Sequence, residues 1–436
     1  MSVDVRNETP RKAEQKEVRT RLSWKLPITY ALAALLLVFF ALNAKGETIL
    51  RLNDRSQSYT LGDTAINAPL FLWIFVAIAL VGTAWSILST LSRGKYGKIG
   101  HTLDVVTMLL VGIVTILSFL VFAGAGSAGA VTLTSTLGAT VAISTPLIFG
   151  SLSGVICERV GVVNINIEGQ LLAGAFAGVM AASFFHNAYI GLLFAPLAGA
   201  LLGSLLALFA VRYGVDQIIV GVVLNVLALG LTAFFYDTVM TKDQQLFNTN
   251  RYSLNAIKIP GLSEIPVIGP MLFNQTIVVY VMYVAVIFLA IFIFRSRWGL
   301  RLRACGEHPK AADTVGINVN RTRTRNTILG SALAGFGGAS FTIGTGLAFT
   351  DNISAGNGYI ALAAMILGKW HPVGAMGAAV MFGFARAVAQ LVPSLHSGIP
   401  SNLLNMIPYI VTIIAVAGFV GKSRPPAAEN IPYVKS

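Results

Sequence analysis

Charge is what this sequence has least of. Only 11% of its 436 residues are Asp, Glu, Lys or Arg, against about 25% in an ordinary soluble domain. Most of its surface must therefore face something other than water. Cysteine is scarce as well: Cys157 and Cys305 are the two in the chain, too few for a disulfide framework. No HExxH, CxxC pair or GxSxG occurs, and His101, His186, His308, His371 and His396 fall in separate segments. The usual signatures of zinc hydrolases, thiol redox centres and serine hydrolases are thus missing. A phosphate-binding loop is missing too. Gly421-Lys422-Ser423 imitates its end, but Val416 stands where the first glycine is needed, and the Arg-Pro-Pro that follows opposes a helix. The chain brings no ATP site of its own, and no resident cofactor is expected.

What is present is apolar sequence: 55% of residues are hydrophobic. Runs of about 20 apolar residues cross a bilayer as helices, whereas barrels show short alternating segments. The reading is an all-α polytopic membrane protein with about 10–12 transmembrane helices. Spans are expected at 26–46, 68–91, 104–123, 129–152, 163–185, 188–211, 215–239, 275–294, 327–348, 356–369, 371–392 and 401–420. A cleaved leader at the first span is disfavoured by its long charged flank and poor cleavage site.

The net charge of +13 does not point to nucleic acid, because the basic residues gather in short segments between apolar runs. The tail 1–25, the stretch 93–98 and the segment 295–326 carry most of them, and positive-inside bias then places both termini in the cytoplasm. The expected organisation is a basic tail (1–25), an N-terminal transmembrane extension (26–123), a core (124–420) and a short C-terminal tail (421–436). Segments 45–67 and 240–274 lie outside; the second, with Pro260, Pro266 and Pro270, reads as an ordered cap or loop.

The stretch GVVNINIEGQ (161–170) poses the chemical question. Asn164, Asn166, Glu168 and Gln170 alternate with apolar residues and Gly169, a pattern that as a helix would spread polar groups around most of its circumference. Intramembrane polar groups mark a lined pathway, a helix break or a polar contact between helices. One reading is a broken entry shielded inside the protein; the other is an interfacial loop with Glu168 near a helix N-terminus. Candidate pathway residues are Asn164, Asn166, Glu168, Gln170, Asn225, Asn352 and Asn357. For Asn225 a helix–helix hydrogen bond is the plainer reading. Arg386 is expected to snorkel toward a membrane surface. The small residues of GSALAGFGGASFTIGTG (330–346) suit close helix packing.

These residues also carry a resemblance. ERVGVVNINIEGQLLAGAF resembles the signature of permease subunits of ABC uptake systems in the ribose and branched-chain amino acid class, closest to the nucleoside and simple-sugar branch. Asn166 stands where that branch commonly has Gly. GLRLRACGEHPKAADTVGINVNRTRTRNTILGSALAGFGGA (299–339) and NGYIALAAMILGKWHPVGA (357–375) are similar to two later segments of the family, in the same order. The resemblance implies the permease fold of the second importer type, in a bacterial plasma membrane. It implies a second permease subunit, commonly forming a heterodimer, a cytoplasmic ABC ATPase that uses ATP and Mg, and an extracellular substrate-binding lipoprotein. The implied cargo is a purine or pyrimidine nucleoside, with ribose or galactose as the alternative.

Within 295–326, Pro309 suits the first turn of a short helix that Gly316 ends. The resemblance implies that this is the helix seated on the ATPase, with contacts from Glu307, Pro309, Ala311, Ala312 and Gly316. The plainer alternative is an interfacial helix anchored to anionic lipid by Arg301, Arg303, Arg321, Arg323 and Arg325. An ion-coupled secondary transporter is a rival class, but it would need mid-membrane carboxylates, and Glu168 and Asp237 sit toward span ends.

Overall fold

The computed structural model describes residues 24–52, 63–92, 97–127, 129–249, 252–395 and 424–434. Most of the basic tail, the expected span 401–420 and Gly421-Lys422-Ser423 lie outside the described residues. The helices are α1 (Lys25–Asn43), α2 (Ala68–Leu91), α3 (Gly97–Gly124), α4 (Leu133–Arg159), α5 (Ile167–Phe184), α6 (Ala188–Ala207) and α7 (Gln217–Phe235). They continue with α8 (Gln244–Phe247), α9 (Ile268–Phe273), α10 (Ile277–Arg295), α11 (Arg297–Glu307), α12 (Pro309–Thr314), α13 (Val319–Gly338), α14 (Asn357–Leu367) and α15 (Pro372–Leu395). Among the described residues, eight helical segments are long and apolar enough to cross a membrane, and Leu110–Gly124 and Asn357–Leu367 are shorter apolar helices. The helix at 327–348 differs most from expectation. It starts at Val319 and stops at Gly338, because Asn318 caps it by accepting from Arg321 N at 2.9 Å.

The chain divides into two compact units. The smaller comprises Met1–Leu42 and Leu72–Ser118; the larger, Asn43–Phe71 and Phe119–Ser436. In the smaller unit α2 and α3 are pinned by one carboxylate: Asp104 accepts from Trp85 Nε1 at 3.1 Å and from Ser89 Oγ at 3.0 Å. A shallow apolar groove between these helices is lined by Val81, Trp85, Leu110 and Val111, among others.

In the larger unit the expected outer segments hold short strands and helices. Glu47–Arg51 pairs antiparallel with Thr64–Asn67 and parallel with Val131–Thr132. Segment 240–274 holds α8, α9 and a strand, Ile257–Lys258, paired with Asn274–Gln275. The centre is a seam of small residues. Gly174 of α5, Gly199 of α6 and Gly335 of α13 face one another so closely that a Cβ on Gly174 would strike Gly335 O, and one on Gly199 would strike Ser331 O. Small residues let backbones approach in lipid, where the hydrophobic effect between helices is lost. The stretch read as packing sequence does pack.

Candidate functional site

The polar stretch after α4 is neither a helix nor a surface loop. Arg159 ends α4, Ile167 begins α5, and residues 160–166 between them are non-helical. Val162, Val163, Asn164 and Asn166 are buried. Gly161 turns the chain at φ +92°, a region open to glycine. The shielded, broken entry is therefore the conformation adopted. Its backbone is satisfied locally: Gly161 N donates to Glu158 O at 2.8 Å, Val162 N to Cys157 O at 2.9 Å and Val163 N to Gln217 Oε1 at 2.7 Å.

The side chains are bonded to one another. Asn164 and Gln170 form a reciprocal amide pair, Nδ2 to Oε1 at 3.1 Å and Nε2 to Oδ1 at 3.0 Å. Asn164 also donates to Ser153 Oγ at 3.0 Å and Gln170 to Ser331 Oγ at 2.9 Å, tying α4 and α13 to the pair. Glu168 accepts from Ser354 Oγ at 2.6 Å, Gly356 N at 2.8 Å and Gly358 N at 2.5 Å. A carboxylate thus takes up the free N–H groups at the start of α14, where negative charge is favoured.

Asn225 of α7 accepts from Gly169 N at 2.7 Å and donates to Ile165 O at 2.9 Å and to Tyr359 Oη at 3.4 Å, the helix–helix contact expected of it. Asn357 accepts from the Arg386 guanidinium; Arg386 therefore has a partner within the bundle, unlike the snorkelling side chain expected. Asn352 is exposed, at φ +53°. Asn166 is fully buried, and neither side-chain polar atom has a hydrogen-bond partner. Its φ of −75° needs no glycine, which explains how Asn fits the place where the resembling branch has Gly.

A second cluster forms at the end of the larger unit that carries α11 and α12. The last residues of α4 lead it. Glu158 accepts from Trp370 Nε1 at 2.5 Å, while Arg159 donates to Trp370 O at 3.0 Å and Lys369 O at 3.4 Å. The Arg159 and Arg303 guanidiniums lie 5.5 and 5.4 Å from the Phe294 ring centroid, and the His371 ring stacks on Phe294 at 4.8 Å. Burial, with Arg159 nearby, pushes the His371 imidazole below its ordinary value. Gly306 of α11 packs so tightly that a Cβ there would strike Arg159 O. Residues far apart in sequence (158–159, 303–306 and 369–371) thus meet at one corner.

Helix α12 forms as its residues predict. Pro309 is its first residue and Gly316 follows it at φ +84°. Glu307, Ala311 and Gly316 are exposed, Pro309 is half-buried, and Ala312 is packed inward. Arg323 is 1% exposed and is not a lipid anchor: its Nη1 donates to Ile431 O at 2.7 Å, its Nη2 to Ala428 O at 3.2 Å and Cys305 O at 3.4 Å. Glu158, Arg159, Arg323 and Trp370 were not singled out as site residues from sequence. The signal available was the Glu-Arg pair at the head of the first resembling stretch. Cys157 and Cys305 are both free and buried.

The protein family described as branched-chain amino acid transport system / permease component matches residues 136–416. The chain is 40% identical to the guanosine ABC transporter permease protein NupQ of Bacillus subtilis (strain 168), over 68% of its own length and 95% of that protein. It is 41% identical to the nucleoside ABC transporter permease protein NupC of Lactococcus lactis subsp. cremoris (strain MG1363), over 67% and 94%. A second Bacillus subtilis protein, the guanosine ABC transporter permease protein NupP, is 28% identical over 65% and 81%. No solved structure matches the chain.

Proposed function

The chain belongs to the branched-chain amino acid transport system / permease component family, and from that premise we propose that it is the membrane subunit of an ATP-driven importer of nucleosides. A family member of this kind is a non-catalytic, multi-pass protein of the bacterial plasma membrane. The observation that carries the coupling half of the proposal is the corner itself. A short helix with Lys310 and Ala311 exposed stands on α11, and α11 is packed through Gly306 against the residue that opens the α4–α5 break. Force on α12 therefore reaches the polar entrance through backbone contact. Glu307, Ala311 and Gly316 present the outer surface to an ATPase subunit, Pro309 sets the helix start, and buried Ala312 holds the helix to the bundle.

The basic segment 295–326 supports a cytoplasmic location for this end and for both termini. The cargo reading rests on the relatives named for guanosine and nucleosides, and the low intramembrane charge suits a neutral polar solute. The partner reading comprises the ATPase, an extracellular binding lipoprotein and a second permease. Two Bacillus subtilis proteins named for guanosine both resemble this chain, which favours a heterodimer. Along the pathway, exposed Asn352 and Tyr359 offer an amide and an aromatic face, while Asn164, Asn166, Glu168, Gln170, Asn225 and Asn357 act from behind by fixing the wall.

Co-reconstitution with its ATPase, second permease and lipoprotein tests the reading. Uptake of labelled guanosine and uridine must require ATP and resist competition by ribose. Accumulation by this chain alone under a proton or sodium gradient would overturn it, and competition by ribose alone would replace nucleosides with sugars.

A further inference from the structure

The C-terminal residues 424–434 form no helix or strand, yet they are built into the corner. Ala428 N donates to Gly306 O at 2.8 Å, and Ala427 N donates to Glu307 Oε2 at 3.3 Å. Ala428 is 5% exposed, and Tyr433 packs against the central core. The Tyr433 hydroxyl is hydrogen-bonded to Asp313 of α12, and the Glu429 carboxyl lies against that of Glu158. Arg323, rooted in α13, grips this segment at two carbonyls and the end of α11 at a third. The free carbonyls of a helix end need such donors, and a cation is favoured there. Gly161 completes the joint: a Cβ there would lie 2.7 Å from Arg323 Nη2 and 3.1 Å from Ala428 O.

We infer that residues 424–434 are a strap which, clamped by Arg323, positions α12 on the bundle, so that motion of the ATPase is transmitted and not absorbed by a loose hairpin. The inference rests on the proposed coupling role of α12. Without the strap, α12 is joined to the bundle through its flanking turns and Ala312, and Gly306 O at the end of α11 loses its donor, Ala428 N. Arg323 and the strap are positioning elements: neither needs to touch nucleotide or cargo. Their removal separates two activities that ordinary misfolding would abolish together.

The test uses the full complex with three variants: deletion of 424–436, Arg323→Ala and Arg323→Lys. Three quantities are read: ATPase co-purification, nucleoside uptake per ATP hydrolysed, and maleimide alkylation of Cys305 located by mass spectrometry. Cys305 is fully buried beneath the joint, and burial pushes its thiol up, so the intact strap resists labelling. The expected result is retained ATPase and hydrolysis, with uptake per ATP lower by about tenfold in the deletion and Arg323→Ala. Cys305 labelling rises about tenfold in both, and Arg323→Lys falls between, since lysine lacks the forked donors.

Unchanged Cys305 protection, or lost protection with uptake per ATP intact, overturns the strap. If the deletion does not insert, the two Arg323 variants decide on the same readings. Ala311→Arg separates the underlying coupling reading: if uptake and ATPase binding survive it, α12 is not the docking helix, whatever Cys305 reports.

Discussion

The polar entrance and the corner hold their buried polar groups in opposite ways. At the entrance the bonds are dominated by neutral amides and hydroxyls, and the carboxylate of Glu168 rests on two backbone N–H groups and one serine. At the corner the bonds run through guanidiniums and a carboxyl pair, and they end on the strap and the α14–α15 turn. The difference follows from what surrounds each. Deep among helices no water is at hand to replace a lost partner, so rigid neutral pairs fix helix position. At the corner Arg159 and Glu429 are only half-buried, so water can replace a partner that they lose in a small movement. One cluster sets geometry; the other sets how that geometry responds.

The strongest way to break this contrast is Glu168→Gln. The amide puts a donor against a backbone N–H and leaves it unsatisfied, which is expected to cost about 2–3 kcal/mol of stability, read as the unfolding midpoint of the detergent-solubilised protein. Next comes Asn164→Leu or Gln170→Leu, each leaving its partner amide unpaired at about 1–3 kcal/mol. The double change should cost less than the sum of the two, because neither amide is left facing an apolar side chain, although Ser153 and Ser331 each lose a donor; full additivity would mean the pair is not a unit. At the corner, Trp370→Phe removes the donor to Glu158 and is expected to cost about 1.5 kcal/mol. It should also shift hydrogen exchange in 424–434 more than at the entrance.

The smallest effect is on pH response. Burial pushes Glu429 up to about 7 from 4.5, with the Glu158 carboxyl against it and the Trp370 indole on Glu158. A carboxyl raised on docking binds more protons docked than free, so docking is favoured at low pH and weakens as pH rises from 4.5 toward 7. Glu429→Gln should flatten hydrogen exchange of the strap across the same range.

Much of this was legible in residues. Pro309 and Gly316 bracket a real helix because proline and glycine act through local backbone geometry. The stretch 330–346 packs because small residues have that one advantage in lipid. The polar alternation of 161–170 marked a break, but two environments were compatible with it, and burial decided between them. What was not legible depends on partners distant in sequence. Arg323 looks like its neighbours Arg321 and Arg325, and only the return of residues 424–434 distinguishes it. Glu158 needs Trp370 and Glu429, both more than two hundred positions away. The start of α13 was misplaced because hydropathy registers apolar length, whereas a cap at Asn318 sets where the helix begins.

The glycine seam joining α5, α6 and α13 has a mechanical consequence. Where main chain rests on main chain, no rotamers are available to absorb sliding, so these three helices must travel as one solid block. Any rearrangement of the bundle then has to move that block as a whole against its neighbours, since none of the three can shift alone.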